Sequence, residues 1–139
     1  MKLTLLITIN AILFIAFGIA FALYGPLMMA FFAIPEMTGI DVQAYWQMAA
    51  FVRMFGAALL GFGLLLWSIR SIIEGVAPEA RRGILFALLL AYIIAAIVSI
   101  TQQSSIWLSP AGWITTGVFV ALILAYGYFL FAVKEPRQT

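Results

Sequence analysis

The chain has 139 residues, of which 66% are hydrophobic and 9% are charged, and its net charge is +2. Soluble domains are about 45–50% apolar and about 25% charged, so this composition excludes an ordinary soluble domain and predicts a membrane protein. The absence of Cys and His excludes thiolate nucleophiles, disulfides, bis-His haem, iron–sulfur clusters and nearly all zinc or copper sites.

Four apolar stretches are each long enough to cross a bilayer. A hydrocarbon core about 30 Å thick requires about 20 apolar residues of helix, and weakly alternating runs of this length predict helices rather than barrel strands. The predicted fold class is all-α integral membrane, a single bundle of four transmembrane helices that occupies residues 1–139 as one domain. The expected helices span about residues 3–24, 42–73, 78–103 and 110–133, with an outer interfacial or re-entrant segment at about 26–40.

The basic residues predict the orientation of the bundle. With four crossings, six of the seven basic residues flank one side, namely Lys2, Arg70, Arg81, Arg82, Lys134 and Arg137. The positive-inside rule then places both termini and the middle loop in the cytoplasm. The expected location is a bacterial inner membrane, and no basic pattern typical of nucleic-acid binding is present.

The first helix carries one polar residue within its apolar span, Asn10. Because an amide facing lipid is costly, we expect Asn10 to point into the bundle and to hydrogen-bond a neighbouring helix. Asn10 shares a helical stripe with Phe14, Phe17 and Phe21. This stripe either packs the interior or walls a ligand cavity in which Asn10 is the polar anchor.

The segment between the first two helices is too apolar for a free loop, yet Pro26, Pro35 and Gly39 interrupt it too often for a membrane crossing. We expect residues 27–32 to form a short helix in the headgroup layer. Asp41 is the predicted N-cap of the second helix.

The second helix is expected to be longer than the bilayer is thick. Residues 42–73 would measure about 48 Å at 1.5 Å per residue, so this helix must tilt, kink or project beyond the membrane.

Small residues recur at a spacing of four and predict close approach between helices. They are Ala57 and Gly61 in the second helix, Ala87, Ala91 and Ala95 in the third, and Gly117, Ala121 and Ala125 in the fourth, with Gly18 and Ala22 as a shorter pair in the first. These faces predict a tightly packed bundle, although the same pattern equally suits a dimer interface. At the far end of the third helix, a polar run precedes Ser109 and Pro110, the predicted N-cap and first position of the fourth helix.

Arg53 is the only ionisable residue inside an apolar span. Placing arginine at the bilayer centre costs about 2.5–3.5 kcal/mol, and less near the interface, so a compensating partner is expected. We predict an outer polar cluster consisting of Arg53, Glu36 or Asp41, and Gln102 or Gln103, because a guanidinium forms paired hydrogen bonds with a carboxylate. Arg53 either ties the interfacial segment to the headgroup layer or binds a lipid phosphate, a quinone carbonyl or an anionic partner.

The second helix also resembles a known layout. The pattern Arg53-x-x-Gly56-Ala57, followed by Gly61-x-Gly63 and a Leu-rich continuation, resembles that of small bacterial four-helix membrane proteins, DoxX-like in layout. Gly25-Pro26 and the apolar residues 31–34 resemble the first loop of such proteins. Some DoxX-like proteins are associated with quinol-linked membrane oxidoreductases, so the resemblance implies contact with a quinone or with another subunit.

No catalytic motif is found in the sequence, and three functional hypotheses follow. The first is a non-catalytic accessory or scaffold subunit that packs against other membrane proteins in a larger, bioenergetic complex. The second is a binding protein for a quinone, carotenoid or lipid, anchored by Asn10 or by the Arg53 cluster. A small transporter or channel is the least favoured, because nothing titratable lies at mid-membrane. We expect no metal and no cofactor, and as partners the bilayer and either another membrane protein or a second copy.

Overall fold

The computed structural model describes residues 2–34 and 41–132, and this part of the chain is almost entirely helical. The helices are α1 (Leu3–Leu23), α2 (Gly25–Phe31), α3 (Val42–Ile69), α4 (Pro78–Gln102) and α5 (Pro110–Phe131), with a π-helical turn at Gln103–Trp107 between the last two. Four of them, α1, α3, α4 and α5, are long and apolar enough to cross a membrane. The prediction of four helices long and apolar enough to span a bilayer is thereby confirmed.

Two of the helices, α3 and α5, begin at capping residues that the sequence predicts. The side chain of Asp41 accepts a hydrogen bond from the backbone N–H of Gln43 at 3.0 Å and caps α3. Ser109 caps α5 by accepting from the backbone N–H of Gly112 at 3.3 Å, and Pro110 follows it at the first helical position. Both predicted N-caps are therefore confirmed.

Helices α1 and α3 pack so closely that their backbones touch. A Cβ atom placed on Gly18 would lie 2.5 Å from the backbone nitrogen of Leu60, and one on Gly63 would lie 2.8 Å from a backbone nitrogen of α1. A Cβ on Gly56 would collide with the backbone of Ala22. We call Gly18, Gly56 and Gly63 the glycine seam, because only a residue without a Cβ permits this approach.

Most of the small residues that were predicted at a spacing of four lie on the outside of the described bundle. Gly61 and Gly117 are exposed, and a Cβ on either would meet nothing within 4 Å in the described part of the chain. The exposed positions also include Ala57, Ala87, Ala91 and Ala121, while Ala95 and Ala125 are partly buried. Within the described bundle, Ala57 and Gly61 do not draw α3 towards another helix, and the dimer interface stays the open alternative for this pair. We call Ala57, Gly61, Ala87, Ala91, Gly117 and Ala121 the outward small residues.

The seam fixes an antiparallel register in which α1 covers only the second part of α3. Thr4, at the start of α1, donates a hydrogen bond to Glu74 at 2.6 Å. Gly25, just beyond the end of α1, lies against the side chain of Arg53. Residues 42–52 of α3, about 16 Å of helix, therefore extend past the end of α1. Whether the helix also tilts, kinks or projects relative to the bilayer stays a prediction. We refer to the two ends of the bundle as the Arg53 end and the Glu74 end.

Helix α2 packs along this projecting part of α3 and gives it a small core of its own. Met29, Tyr45 and Ala49 are buried there, with Ile34 and Val52 packed partly buried against them. Residues 35–40 lie outside the described part of the chain. Of the predicted interfacial segment, the structure thus shows a short helix at Gly25–Phe31 that covers the extension of α3.

The main core lies between α1, α4, α5 and the far half of α3. Its most buried members are Leu6, Ile7, Ala11, Phe14, Leu66, Ile73, Leu85, Leu88, Leu89, Tyr92, Leu122 and Tyr126. Most are aliphatic, and the tyrosines among them mark the position of a polar cluster inside the bundle.

Substituting Gly56 by Ala tests the seam, and Gly61→Ala is its matched control on the same helix. Gly56→Ala is expected to lower the free energy of unfolding by about 1–3 kcal/mol, because the new methyl group collides with the α1 backbone. Gly61→Ala is expected to be neutral or to stabilise α3 by up to about 1 kcal/mol, since alanine is the better helix former. Thermal unfolding in mild detergent measures both. Equal behaviour of the two variants would contradict the seam.

Candidate functional site

A buried polar cluster joins three helices in the interior of the bundle. The carboxamide nitrogen of Asn10 on α1 donates to the hydroxyl oxygen of Tyr92 on α4 at 2.5 Å and to that of Tyr126 on α5 at 2.9 Å. Asn10 and Tyr126 have no exposed surface, and Tyr92 is 2% exposed. The prediction that Asn10 points inward and bonds a neighbouring helix is confirmed.

The Asn10 carboxamide does not use all of its hydrogen-bonding groups. Its oxygen is buried without a hydrogen-bond partner in the described part of the chain. Rotating the amide by half a turn would let the oxygen accept both tyrosine hydroxyls, since a carboxamide oxygen has two lone pairs, but the NH2 group would then lose its acceptors. In either orientation, one polar group of the Asn10 carboxamide has no hydrogen-bond partner among the described residues, at a buried position.

Aromatic rings surround this cluster. The rings of Tyr92 and Tyr126 stack with centroids 5.5 Å apart, and Phe119 stacks on Tyr92 at 6.4 Å. Phe14 meets the edge of Tyr92 at 6.0 Å and contacts Phe62 at 5.5 Å. Such contacts hold the phenol groups in fixed positions and keep the hydrogen bonds of Asn10 in a medium of low dielectric constant.

The side chains of the aromatic stripe predicted on α1 lie in two different parts of the bundle. Phe14 belongs to the interior beside Asn10, whereas Phe21 contacts Phe32 after α2 and Phe55 on α3 at the Arg53 end. Phe17 is partly buried and lies 6.5 Å from Phe21. The four residues therefore do not wall a single space around Asn10, and the packing interpretation of the stripe fits these contacts.

Arg53 lies beside the end of α1, and its position at the membrane boundary stays a prediction. A Cβ on the buried Gly25 would lie 3.1 Å from Cγ of Arg53 and 3.5 Å from its Nε. The aliphatic stem of Arg53 thus covers the junction between α1 and α2, while the residue as a whole is exposed. This is the behaviour of a snorkelling side chain. A positive charge near the carbonyl end of α1 is also favoured by the helix dipole.

The partners predicted for Arg53 are found in several places. Glu36 lies outside the described residues. Asp41 caps α3, and Gln102 ends α4 partly exposed. Gln103 is 2% exposed in the π-helical turn, and its side-chain oxygen has no hydrogen-bond partner among the described residues. Within residues 2–34 and 41–132, no hydrogen bond or ion pair connects Arg53 to Asp41, Gln102 or Gln103. The closed cluster, through Glu36, stays a prediction.

Sequence reasoning missed Tyr92 and Tyr126 as the partners of Asn10. Each is a phenol within a long apolar helix, which is a sufficient signal that its hydroxyl needs a partner. A second unpredicted pair is Ser99 and Thr116, whose hydroxyl oxygens lie 2.7 Å apart between α4 and α5. Because Thr116 donates to the carbonyl of Gly112 at 2.9 Å, its oxygen is free to accept from Ser99.

Replacing Asn10 by Ala tests the interior cluster. We expect the free energy of unfolding to fall by about 1–3 kcal/mol, because two buried hydroxyls lose their partner. The control is the triple variant Asn10→Leu with Tyr92→Phe and Tyr126→Phe, which removes all three polar groups and should recover most of the loss. Thermal unfolding in detergent measures both, and a triple variant as unstable as Asn10→Ala would contradict the hydrogen-bonded cluster.

Comparison of the chain with protein-family models, with curated proteins and with solved structures found no match.

Proposed function

We propose that this protein is a non-catalytic accessory or scaffold subunit that packs against another membrane protein or a second copy of itself. The observation that carries this proposal is the position of the outward small residues. They form close-packing faces on α3, α4 and α5, yet at Gly61 and Gly117 nothing in the described structure approaches.

Small residues on these faces have a physical consequence in the bilayer. Lipid tails are as apolar as leucine, so helices associate in membranes through close packing and polar contacts rather than through hydrophobic burial. Glycine within a helix lowers its stability by about 0.5–1 kcal/mol relative to alanine. Contact with lipid does not offset the lower helix stability at Gly61 or Gly117, whereas close backbone contact with a partner helix would offset it.

The distribution of polar groups supports a structural role over catalysis or transport. Among the described residues, no group of three or more acidic side chains could hold a metal ion. Asp41 caps α3, Glu79 lies in the first turn of α4, and Glu74 accepts from Thr4 at a helix end. The buried groups of the membrane interior are amides and hydroxyls, which suit packing and binding.

For the setting of this subunit we propose a bacterial inner membrane with both termini in the cytoplasm. Lys2, Arg70 and Arg82 belong to the Glu74 end, which the positive-inside rule then assigns to the cytoplasm. Helix α2 would lie in the opposite headgroup layer, because its Leu27 and Phe31 expose apolar side chains on one face. On the basis of the DoxX-like resemblance, we propose that the larger assembly is a bioenergetic complex.

A second candidate function is the binding of a lipophile such as a quinone or carotenoid. The unpaired carboxamide atom of Asn10 favours it, because a carbonyl or hydroxyl of a ligand would satisfy that atom. Solvent extraction of the purified protein followed by mass spectrometry tests this function. A lipophile recovered from the wild type but not from Asn10→Leu would support it, and an empty wild-type extract would overturn it.

Cross-linking through single cysteines tests the scaffold function directly, because the chain has no cysteine of its own. Ala87→Cys and Ala91→Cys place a thiol on the outward small residues of α4. Phe86→Cys and Leu90→Cys, at exposed neighbouring positions, are the matched controls. With a short bifunctional maleimide in native membranes, we expect the first pair to give one defined conjugate and the controls to give little. Equal reaction of all four, or a lone monomer throughout, would contradict the proposed subunit.

A further inference from the structure

An apolar groove runs along the surface between α1 and α3. It is lined by Ile12, Ile15, Ala16, Ile19, Leu64 and Trp67. The glycine seam brings the two backbones together beneath it, and Ala16 leaves a depression among longer neighbours. The groove opens on the outer surface of the bundle and is lined by apolar side chains, so its chemistry suits a hydrocarbon chain.

A cation stands at one end of this groove. The guanidinium carbon of Arg70 lies 3.4 Å from the centroid of the Trp67 ring, and Trp67 is itself part of the groove wall. This cation–π contact uses the flat face of the guanidinium. The N–H groups around its edge form a fork whose geometry matches a phosphate.

No carboxylate occupies that fork among residues 2–34 and 41–132. Glu74, the acidic residue four positions further on, accepts a hydrogen bond from Thr4 at 2.6 Å, and no ion pair joins it to Arg70. Leu64 and Arg70 are about 9 Å apart along α3 at 1.5 Å per residue. The charge is therefore placed where the head group of a lipid would emerge if its acyl chain lay in the groove.

We propose that this groove binds one phospholipid with an anionic head group, the acyl chain lying against Ala16 and Leu64 and the phosphate on Arg70. A second copy of the chain fits the groove less well. Copies with the same orientation in the membrane hold Arg70 at the same depth, so a symmetric contact here would bring like charges together. A neutral lipophile would leave the guanidinium without a partner. This site is separate from the Asn10 cluster and does not depend on the proposed scaffold function.

Native mass spectrometry of the purified protein, titrated with phosphatidylglycerol or phosphatidylcholine of identical chains, tests the site. We expect the wild type to bind one phosphatidylglycerol more tightly than phosphatidylcholine. Arg70→Gln should weaken phosphatidylglycerol binding roughly fivefold, because one basic residue contributes about 1 kcal/mol at an anionic surface. Ala16→Leu should weaken binding of both lipids by filling the groove, and this exposed position tolerates a larger side chain.

Two control variants distinguish lipid binding at this site from nonspecific attraction of anionic lipid to the protein. Arg82→Gln removes a charge near the same end of the bundle, and Ala80→Leu enlarges an exposed residue on another helix, outside the outward small residues, so neither should change the binding. Three results would overturn the proposal: equal affinity for the two lipids, an equal loss in Arg82→Gln, or efficient cross-linking of Ile12→Cys to a second copy through the groove.

Discussion

The contact between the backbones of α1 and α3 is the constraint on which the rest of the structure depends. The glycine seam allows no sliding, because a shift of one helix along the other would bring Leu60 or Ile15 side chains against the opposing backbone in place of Gly18 and Gly63. In a bilayer this close approach replaces the hydrophobic effect as the source of helix association. The register that it sets places Arg53 at the end of α1, makes the first part of α3 project, and gives α2 a surface to cover.

The seam joins only one pair of helices, and polar contacts connect that pair to the other. Helices α4 and α5 pack along each other, with Ser99 bonded to Thr116 and Tyr92 stacked on Tyr126. Asn10 reaches from α1 to both tyrosines and so orients the two pairs. Buried polar contacts of this kind define a unique arrangement more than they add stability, since an interhelical hydrogen bond in a membrane is worth about 0.6–2 kcal/mol. The functional proposals follow from what this arrangement leaves unused: small residues on outer faces, one carboxamide atom inside, and a cation at the end of a groove.

Sequence patterns predicted the crossing helices and their starts because the physical causes are local. Asp41 and Ser109 cap helices through neighbouring amides, and an apolar run long enough to span a bilayer is visible in any window. The inward direction of Asn10 followed from the cost of exposing an amide to lipid. Its partners did not follow, because Tyr92 and Tyr126 are 82 and 116 residues away and a single sequence carries no information on distant contacts. The packing faces were left open for a related reason: α3 carries small residues on more than one face, Ala57 with Gly61 on one and Gly56 with Gly63 on another, and only the direction of the neighbouring helix shows that α1 packs on the second.

The most direct test of this account is the register of α1 against α3, measured by disulfide formation in a chain that lacks native cysteines. The double variant Thr4→Cys with Glu74→Cys joins two side chains that are hydrogen-bonded across the seam. Thr4→Cys with Trp67→Cys, about two helical turns further along, is the matched control. Under mild oxidation in membranes, the account predicts efficient disulfide formation in the first variant and little in the second. A disulfide that forms as readily in the second would contradict the register, and with it the positions assigned to Arg53, the groove and the outward small residues.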